Sequence, residues 1–269
     1  MTATIDPDPT SVRGEIANRL SVRGLGMTYG AGATAREVIR DLSFHVAPSE
    51  FVCIVGPSGI GKTTLLRCLS GLLPPTAGSA MLDGRRIDGP PQEMGLVFQD
   101  YTRSLMPWLS VERNVMLPLR GSRIPRSERF RRVAAALAEV GLAEVAKKYP
   151  WQLSGGMQQR AAIARAIAYQ PEILLMDEPF ASLDAQTRFD LEDLLLRLRS
   201  ELGVTVLFVT HDIDEAVYLA DRVVVLGGSP SSVVEVVDVP LAHPRDQITT
   251  RAQPTFAELR TKVLTQIRH

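Results

Sequence analysis

Three short runs with almost no polar interruption stand out along the chain: Phe51–Val55 (FVCIV), Ile173–Met176 (ILLM) and Val204–Val209 (VTVLFV). Each is too short for a helix and lacks the alternation of a half-exposed strand, so each reads as a strand covered on both faces. Thr63–Gly71 has helical spacing, with Leu65, Leu66, Leu69 and Leu72 on one side, and Pro74-Pro75 ends it. Leu191–Leu202 is amphipathic at the same period. Strands alternating with helices predict an α/β fold with a mainly parallel sheet.

Other stretches follow different patterns. Val22–Met27 and Val38–Val46 read as strands around a turn at Gly30–Ala33, and residues 76–98 read as short strands and turns closing on Met94–Phe98. From Asp100 to about Arg165 β-branched residues thin out and Ala, Leu, Glu and Arg dominate, which predicts a helical insertion. Ser127 is the expected cap of a helix running to Val140, with Gly141 at its end. The polar stretch 1–20, with Pro7 and Pro9, reads as a flexible arm, and Pro254–His269 as one terminal amphipathic helix. The expected organisation is an arm (1–20), one domain (21–250) with a helical part at about 100–165, and a C-terminal helix (251–269).

Composition narrows the function classes. Thirty Lys+Arg balance thirty Asp+Glu, so a general polyanion binder is disfavoured and no nucleic acid is expected. Apolar residues at 45% with 22% charged fit a folded domain, and no apolar stretch approaches the roughly 20 residues of a membrane span. The first twenty residues have no apolar core of a secretory signal, and Cys53 and Cys68 lie in apolar surroundings that suggest buried thiols; the expectation is a cytoplasmic chain.

The strand FVCIV runs directly into Gly56-Pro57-Ser58-Gly59-Ile60-Gly61-Lys62-Thr63-Thr64 and then a helix. This is G-x-x-x-x-G-K-[ST] in its strand–loop–helix context. Glycines let backbone N–H groups wrap phosphates, and the helix start adds its positive dipole end. Lys62 suits the β- and γ-phosphates, and the Thr63 hydroxyl suits Mg²⁺. A second apolar strand ends in Asp177-Glu178, at the sheet edge where such loops lie. Asp177 can hold Mg²⁺ through its water shell, and Glu178 can polarise an attacking water. His211 follows VTVLFVT at the same edge, placed for a γ-phosphate contact. Gln99 ends the run Gly95–Phe98; it either bonds Mg²⁺ and the water or caps a strand. Leu153-Ser154-Gly155-Gly156-Met157-Gln158-Gln159-Arg160 opens an alanine-rich helix that Ser154 can cap, which makes a second anion-binding helix start.

LSGGMQQR strongly resembles the signature of ATP-binding cassette (ABC) ATPases, and the resemblance covers about residues 20–230 in family order. GPSGIGKTT is similar to the Walker A loop, Gln99 to the Q-loop, ILLMDEP to Walker B, Ser182-Leu183-Asp184 to the D-loop and His211 to the switch histidine. Tyr29 falls where the family stacks an aromatic on adenine, against the alternative of a plain turn residue. The resemblance implies a P-loop NTPase core with a mainly parallel sheet, an antiparallel β subdomain and an inserted α-helical subdomain. It implies ATP and Mg²⁺ as cofactors and a head-to-tail homodimer in which Ser154, Gly155, Gly156, Gln158 and Asp184 of one copy complete the other's ATP site. No sustained heptads separate the two halves, unlike the DNA-maintenance relatives. A P-loop kinase would lack the signature, and translation-type relatives usually carry two cassettes in one chain.

Within the family, LMPWLSVERNV (105–115) and His243-Pro244-Arg245-Asp246-Gln247 resemble the nitrate/sulfonate/taurine importer group. That implies integral-membrane permease subunits, an extracytoplasmic solute-binding protein, uptake of a small anion, and a place on the cytoplasmic face of the membrane. Met106, Pro107, Trp108 and Leu109 read either as a groove for a permease coupling helix or as subdomain core. Arg120, Arg123, Arg126, Arg129, Arg131 and Arg132 read either as a lipid-facing cluster or as a solvated helix surface.

Overall fold

A computed structural model describes residues 18–99 and 104–268. Residues 1–17 of the expected arm, and Asp100–Arg103 just after Gln99, lie outside the described residues. The elements run β1 (Leu20–Tyr29), β2 (Arg36–Val46), β3 (Phe51–Val55), α1 (Lys62–Leu69), β4 (Ala77–Leu82), β5 (Arg85–Arg86) and β6 (Met94–Val97). Three helices follow: α2 (Val111–Met116), α3 (Arg126–Glu139) and α4 (Gly155–Ile167). The chain closes with β7 (Ile173–Asp177), α5 (Ala185–Leu202), β8 (Thr205–Val209), α6 (Ile213–Leu219), β9 (Arg222–Gly227), β10 (Ser232–Asp238) and α7 (Pro254–Arg268).

Two sheets divide the strands. An antiparallel sheet has the order β2-β1-β4-β5. A six-stranded sheet has the order β10-β9-β3-β8-β7-β6, parallel except for the edge strand β10. The period of two explains the continuous apolar runs. Phe51, Cys53 and Val55 face one core with Leu174, Met176, Val206 and Phe208. Val52 and Ile54 face the other with Leu175, Leu207 and Val209. The first core packs under α2–α6, and the second lies between the parallel sheet, α1 and the antiparallel sheet. The sheets are tied by Arg40 N–H donating to the Ser231 carbonyl and Ser231 N–H to the Val38 carbonyl, both at 2.9 Å.

Several boundaries differ from the expectations. Leu20 is fully buried in β1, and the preceding Arg19 is anchored by ion pairs to Asp83 and Glu172, so neither belongs to a loose arm. Leu72 is 51% exposed, because α1 ends at Leu69 and the stripe does not reach it. Ser127 lies inside the first turn of α3; Pro125 holds the cap position, where its fixed φ suits a helix start. Helix α5 begins six residues earlier than its apolar stripe, because Asp184 caps it by accepting from Thr187 N–H at 3.0 Å. Cys53 and Cys68 are buried free thiols. Among the described residues no helix is long and apolar enough to cross a membrane.

Among the cations that fasten the segment after β10, Arg251 is the most enclosed by aromatic rings. The Arg251 guanidinium lies 4.8 Å from the Tyr218 ring, 4.9 Å from Phe189 and 5.7 Å from Phe256, and pairs with Glu192 at 2.7 Å. The Glu192 side chain is fully buried, so Arg251 is its compensating charge. Arg251→Ala should lower the unfolding free energy by about 3 kcal/mol, since it strands a buried carboxylate. Adding Glu192→Gln should restore part of that loss in denaturant titrations; an equal loss in both variants would show that packing alone is at stake.

Candidate functional site

The register of the parallel sheet brings the predicted residues together. Ile54 pairs with Val209, and Val209 with Asp177, so β3, β8 and β7 end side by side. The ladder continues one step further: Thr210 N–H donates to the Ile54 carbonyl at 3.1 Å, and Glu178 N–H to the Val209 carbonyl at 2.9 Å. Gly56–Thr64, Asp177-Glu178 and His211 therefore emerge at one edge.

The loop after β3 curls tightly. Ile60 N–H donates to the Pro57 carbonyl, and Gly61 enters α1 with φ +110°. A side chain on Gly61 would meet Val38 Cγ1 at 2.8 Å, so both conformation and space require glycine. Lys62 is 5% exposed; its Nζ donates to the carbonyls of Gly56 at 2.8 Å and Pro57 at 3.2 Å and lies 3.6 Å from Glu178 Oε1. Glu178 holds φ +42°, uncommon for a residue with a side chain, and its Oε2 is 2.9 Å from His211 Nδ1. An ionised carboxylate only accepts, so Nδ1 carries the proton in that contact. The imidazole is otherwise open, at 54% exposure.

Asp177 is buried, and its Oδ1 has no hydrogen-bond partner. Burial pushes its carboxyl above the usual range, the Thr63 hydroxyl pulls it back, neighbouring Glu178 raises it further and Lys62 opposes. A cavity of about 200 Å³ is lined by Thr63, Gln99 and Asp177 together. These are the three residues predicted to hold Mg²⁺. One carboxylate, a hydroxyl and an amide oxygen are hard donors, and they leave coordination positions for water and phosphate, as Mg²⁺ requires. The orphaned Oδ1 fits that ion.

Tyr29, at the end of β1, is 40% exposed and its hydroxyl lies 3.3 Å from Thr64 Oγ1, which sets the ring beside the phosphate loop. The signature residues lie apart. Ser154 caps α4 by accepting from Met157 N–H at 3.3 Å, and Gln158 Nε2 donates to the Leu153 carbonyl. Among the described residues no hydrogen bond or ion pair joins Ser154, Gly155, Gly156 or Gln158 to Lys62, Glu178 or His211. Asp184 likewise spends its carboxylate on Thr187.

The model of the ABC transporter family matches residues 39–181. The aliphatic sulfonates import ATP-binding protein SsuB 1 of Xanthomonas axonopodis pv. citri is 48% identical over 213 residues, 79% of this chain and 84% of that protein. The chain belongs to the ABC transporter family. The nitrate import ATP-binding protein NrtD of Synechococcus elongatus is 43% identical over 243 residues, 89% of this chain and 88% of that one. Among solved structures, the dimeric ATP-binding cassette MJ0796 in a post-hydrolysis state with ADP and Pi is 34% identical, with a TM-score of 0.70 over 82% of this chain and 98% of that one.

Two features of this ABC protein are open between alternatives in the sequence. The loop Met106–Leu109 is not plain core: Leu105 before it is buried but Trp108 is 70% exposed, while Asn114 stitches the loop with bonds to Met106 N–H and to the Met106 and Leu109 carbonyls. The arginine cluster also divides. Arg131 and Arg132 pair with Glu128, whereas Arg126 stacks 5.7 Å from the Phe130 ring and, with Arg120 and Arg129, rims a separate cavity of about 670 Å³. Its floor includes Met116, Val133 and Leu137.

Helix α5 fixes the signature helix by contact. A Cβ on Gly156 would lie 2.3 Å from Thr187 Cγ2, so α4 and α5 approach only because position 156 has no side chain. Gly156→Ala should destabilise the chain by about 1–3 kcal/mol through overpacking. Thr187→Ser, which deletes that methyl, should recover most of it in thermal unfolding; no recovery would place the strain elsewhere.

Proposed function

We propose that the chain is the ATP-hydrolysing subunit of an importer that takes up a small oxyanion, such as nitrate or a sulfonate, through a partner permease. The observation that carries the hydrolytic part is the convergence of Lys62, Glu178 and His211 at one strand edge. The importer part rests on the similarity to sulfonate and nitrate import proteins over most of the chain.

The loop Gly56–Thr64 wraps the phosphates with its N–H groups, and the Tyr29 ring stacks on adenine. Bound phosphate oxygens compete with the Gly56 and Pro57 carbonyls for Lys62. Thr63, Gln99 and Asp177 would hold Mg²⁺, which neutralises charge on the transferring phosphoryl group. Glu178 accepts the proton of the attacking water. Lys62 and His211 both lie against its carboxylate here. When the γ-phosphate draws these two donors to itself, the Glu178 carboxylate is freed to accept from the water, so binding and activation are coupled. The second anion-binding helix start, Ser154–Gln158, contacts none of this cluster; we infer that it serves the ATP of a second copy in a head-to-tail dimer. The permease docks on the helical side, against the loop Met106–Leu109 with its exposed Trp108, and a solute-binding protein delivers the anion from outside.

Glu178→Gln should still bind ATP, lose at least about 100-fold in kcat and run as an ATP-dependent dimer by light scattering. Hydrolysis near the wild-type rate would remove Glu178 from the role of base. Lys62→Ala should instead lose ATP affinity in an equilibrium binding titration. For the substrate class, a strain lacking this chain should fail to grow on nitrate as nitrogen source or on an alkanesulfonate as sulfur source; normal growth on both would refute the oxyanion reading.

A further inference from the structure

Behind His211 lies a cluster of charge around one buried carboxylate that this hydrolytic scheme does not use. Glu215, in the first turn of α6, is 5% exposed and accepts from Thr210 Oγ1 at 2.6 Å. The same Thr210 oxygen accepts from Asp212 N–H at 3.0 Å. Asp212 caps α6 by accepting from Asp214 N–H and Glu215 N–H. Arg188, on α5, crosses to both carboxylates. Its Nη1 donates to Asp212 Oδ2 at 2.9 Å, its Nε lies 3.6 Å from Glu215 Oε1, and its Nη2 reaches the Leu183 carbonyl at 3.5 Å.

This arrangement brackets the histidine. Thr210 and Asp212 are its two chain neighbours, and both are held by the Arg188–Glu215 pair. The imidazole itself is exposed and, among the described residues, has one side-chain partner, Glu178. The direction in which it points is therefore set by the backbone turn beneath it, and that turn is set by the buried hydroxyl and carboxylate. The planar guanidinium fork can serve Asp212 and Glu215 at once, which a lysine point charge cannot do in the same geometry.

We propose that Arg188 and the buried Glu215 form a positioning pair that holds the Thr210–Asp212 turn, and with it His211, in hydrogen-bonding register with Glu178. The proposal rests on the reading of Glu178 as base given above. Both residues act through others; neither touches nucleotide. Arg188 also follows Thr187, whose methyl packs on Gly156, so the turn that carries it is in contact with the signature helix. The charged and titratable groups facing Glu215 are Arg188 and Glu192 from α5, Asp212 from its own cap and the Cys53 thiol from β3. Burial, followed by Asp212 and Glu192, pushes Glu215 up to about 7, against the pull of Thr210 and Arg188. Its ionised form accepts from Thr210 and is the ion-pair partner of Arg188, so the pair is complete above that pH and weakens as pH falls through it.

The test is steady-state ATP hydrolysis by the full chain at saturating Mg-ATP, with ATP affinity and melting temperature, for Arg188→Met, Glu215→Gln, the double variant and Glu178→Gln in parallel. Each single variant should lower kcat about tenfold while KM for ATP stays within about twofold, as expected when a reacting group is misaligned. The double variant should be no slower than the worse single, because the two act as a unit. The wild-type loss of kcat below about pH 7 should be absent in Glu215→Gln. If Arg188→Met fails to fold, the double variant carries the test, since it no longer strands the Glu215 charge. A kcat within twofold of wild type measured well below the melting temperature, losses that multiply in the double variant, or an unchanged pH profile in Glu215→Gln would each overturn the proposal. Wild-type hydrolysis by Glu178→Gln would instead strike the reading beneath it, and an inactive Glu178→Gln beside a normal Arg188→Met would strike this inference alone.

Discussion

The register of three parallel strands is the constraint on which the site depends. Ile54, Val209 and Asp177 are neighbours across the ladder, and two further backbone bonds extend it to Thr210 and Glu178. Every strand here is covered on both faces, so a slip of one residue would exchange the residues facing the two cores. The apolar pattern thereby fixes the height at which each loop leaves the sheet. Phosphate loop, acidic pair and histidine meet because burial permits one alignment.

Electrostatics then works within that frame. A buried lysine beside two carboxylates, one of them with an orphaned oxygen, is a site short of its full set of partners. Lys62 meets its own needs on loop carbonyls, and Glu178 meets its needs on Lys62 and His211. These are the bonds that a triphosphate can take over without unfolding anything. The unusual backbone of Glu178 belongs with them: its positive φ is held by the bond to Val209, on the strand that also leads to His211.

The sheet and the phosphate loop were legible in the sequence because their signals are local. FVCIV and VTVLFV announce doubly covered strands, and GPSGIGKTT needs no distant partner to be read. Other features depend on how the folded chain settles choices that the local sequence leaves open. Nothing local says that Asn114 would bind the loop before it, that Leu72 would miss the core, or that Ser127 would yield the cap to Pro125. The Arg188–Glu215 cluster was the hardest to see. Its one local hint is the pair of carboxylates, Asp212 and Glu215, just after His211; the arginine that joins them comes from another helix.

Both tryptophans of the chain, Trp108 and Trp151, stand at the surface, 70% and 71% exposed, in the stretch between β6 and β7. Trp151 stacks on Tyr149 two residues ahead of Leu153, and Trp108 projects from the loop that leads into α2. The intrinsic fluorescence of the protein is therefore a reporter of its helical side. Burial of either indole against another chain would shift the emission to the blue, while events confined to the interior of the parallel sheet would pass unseen at that wavelength.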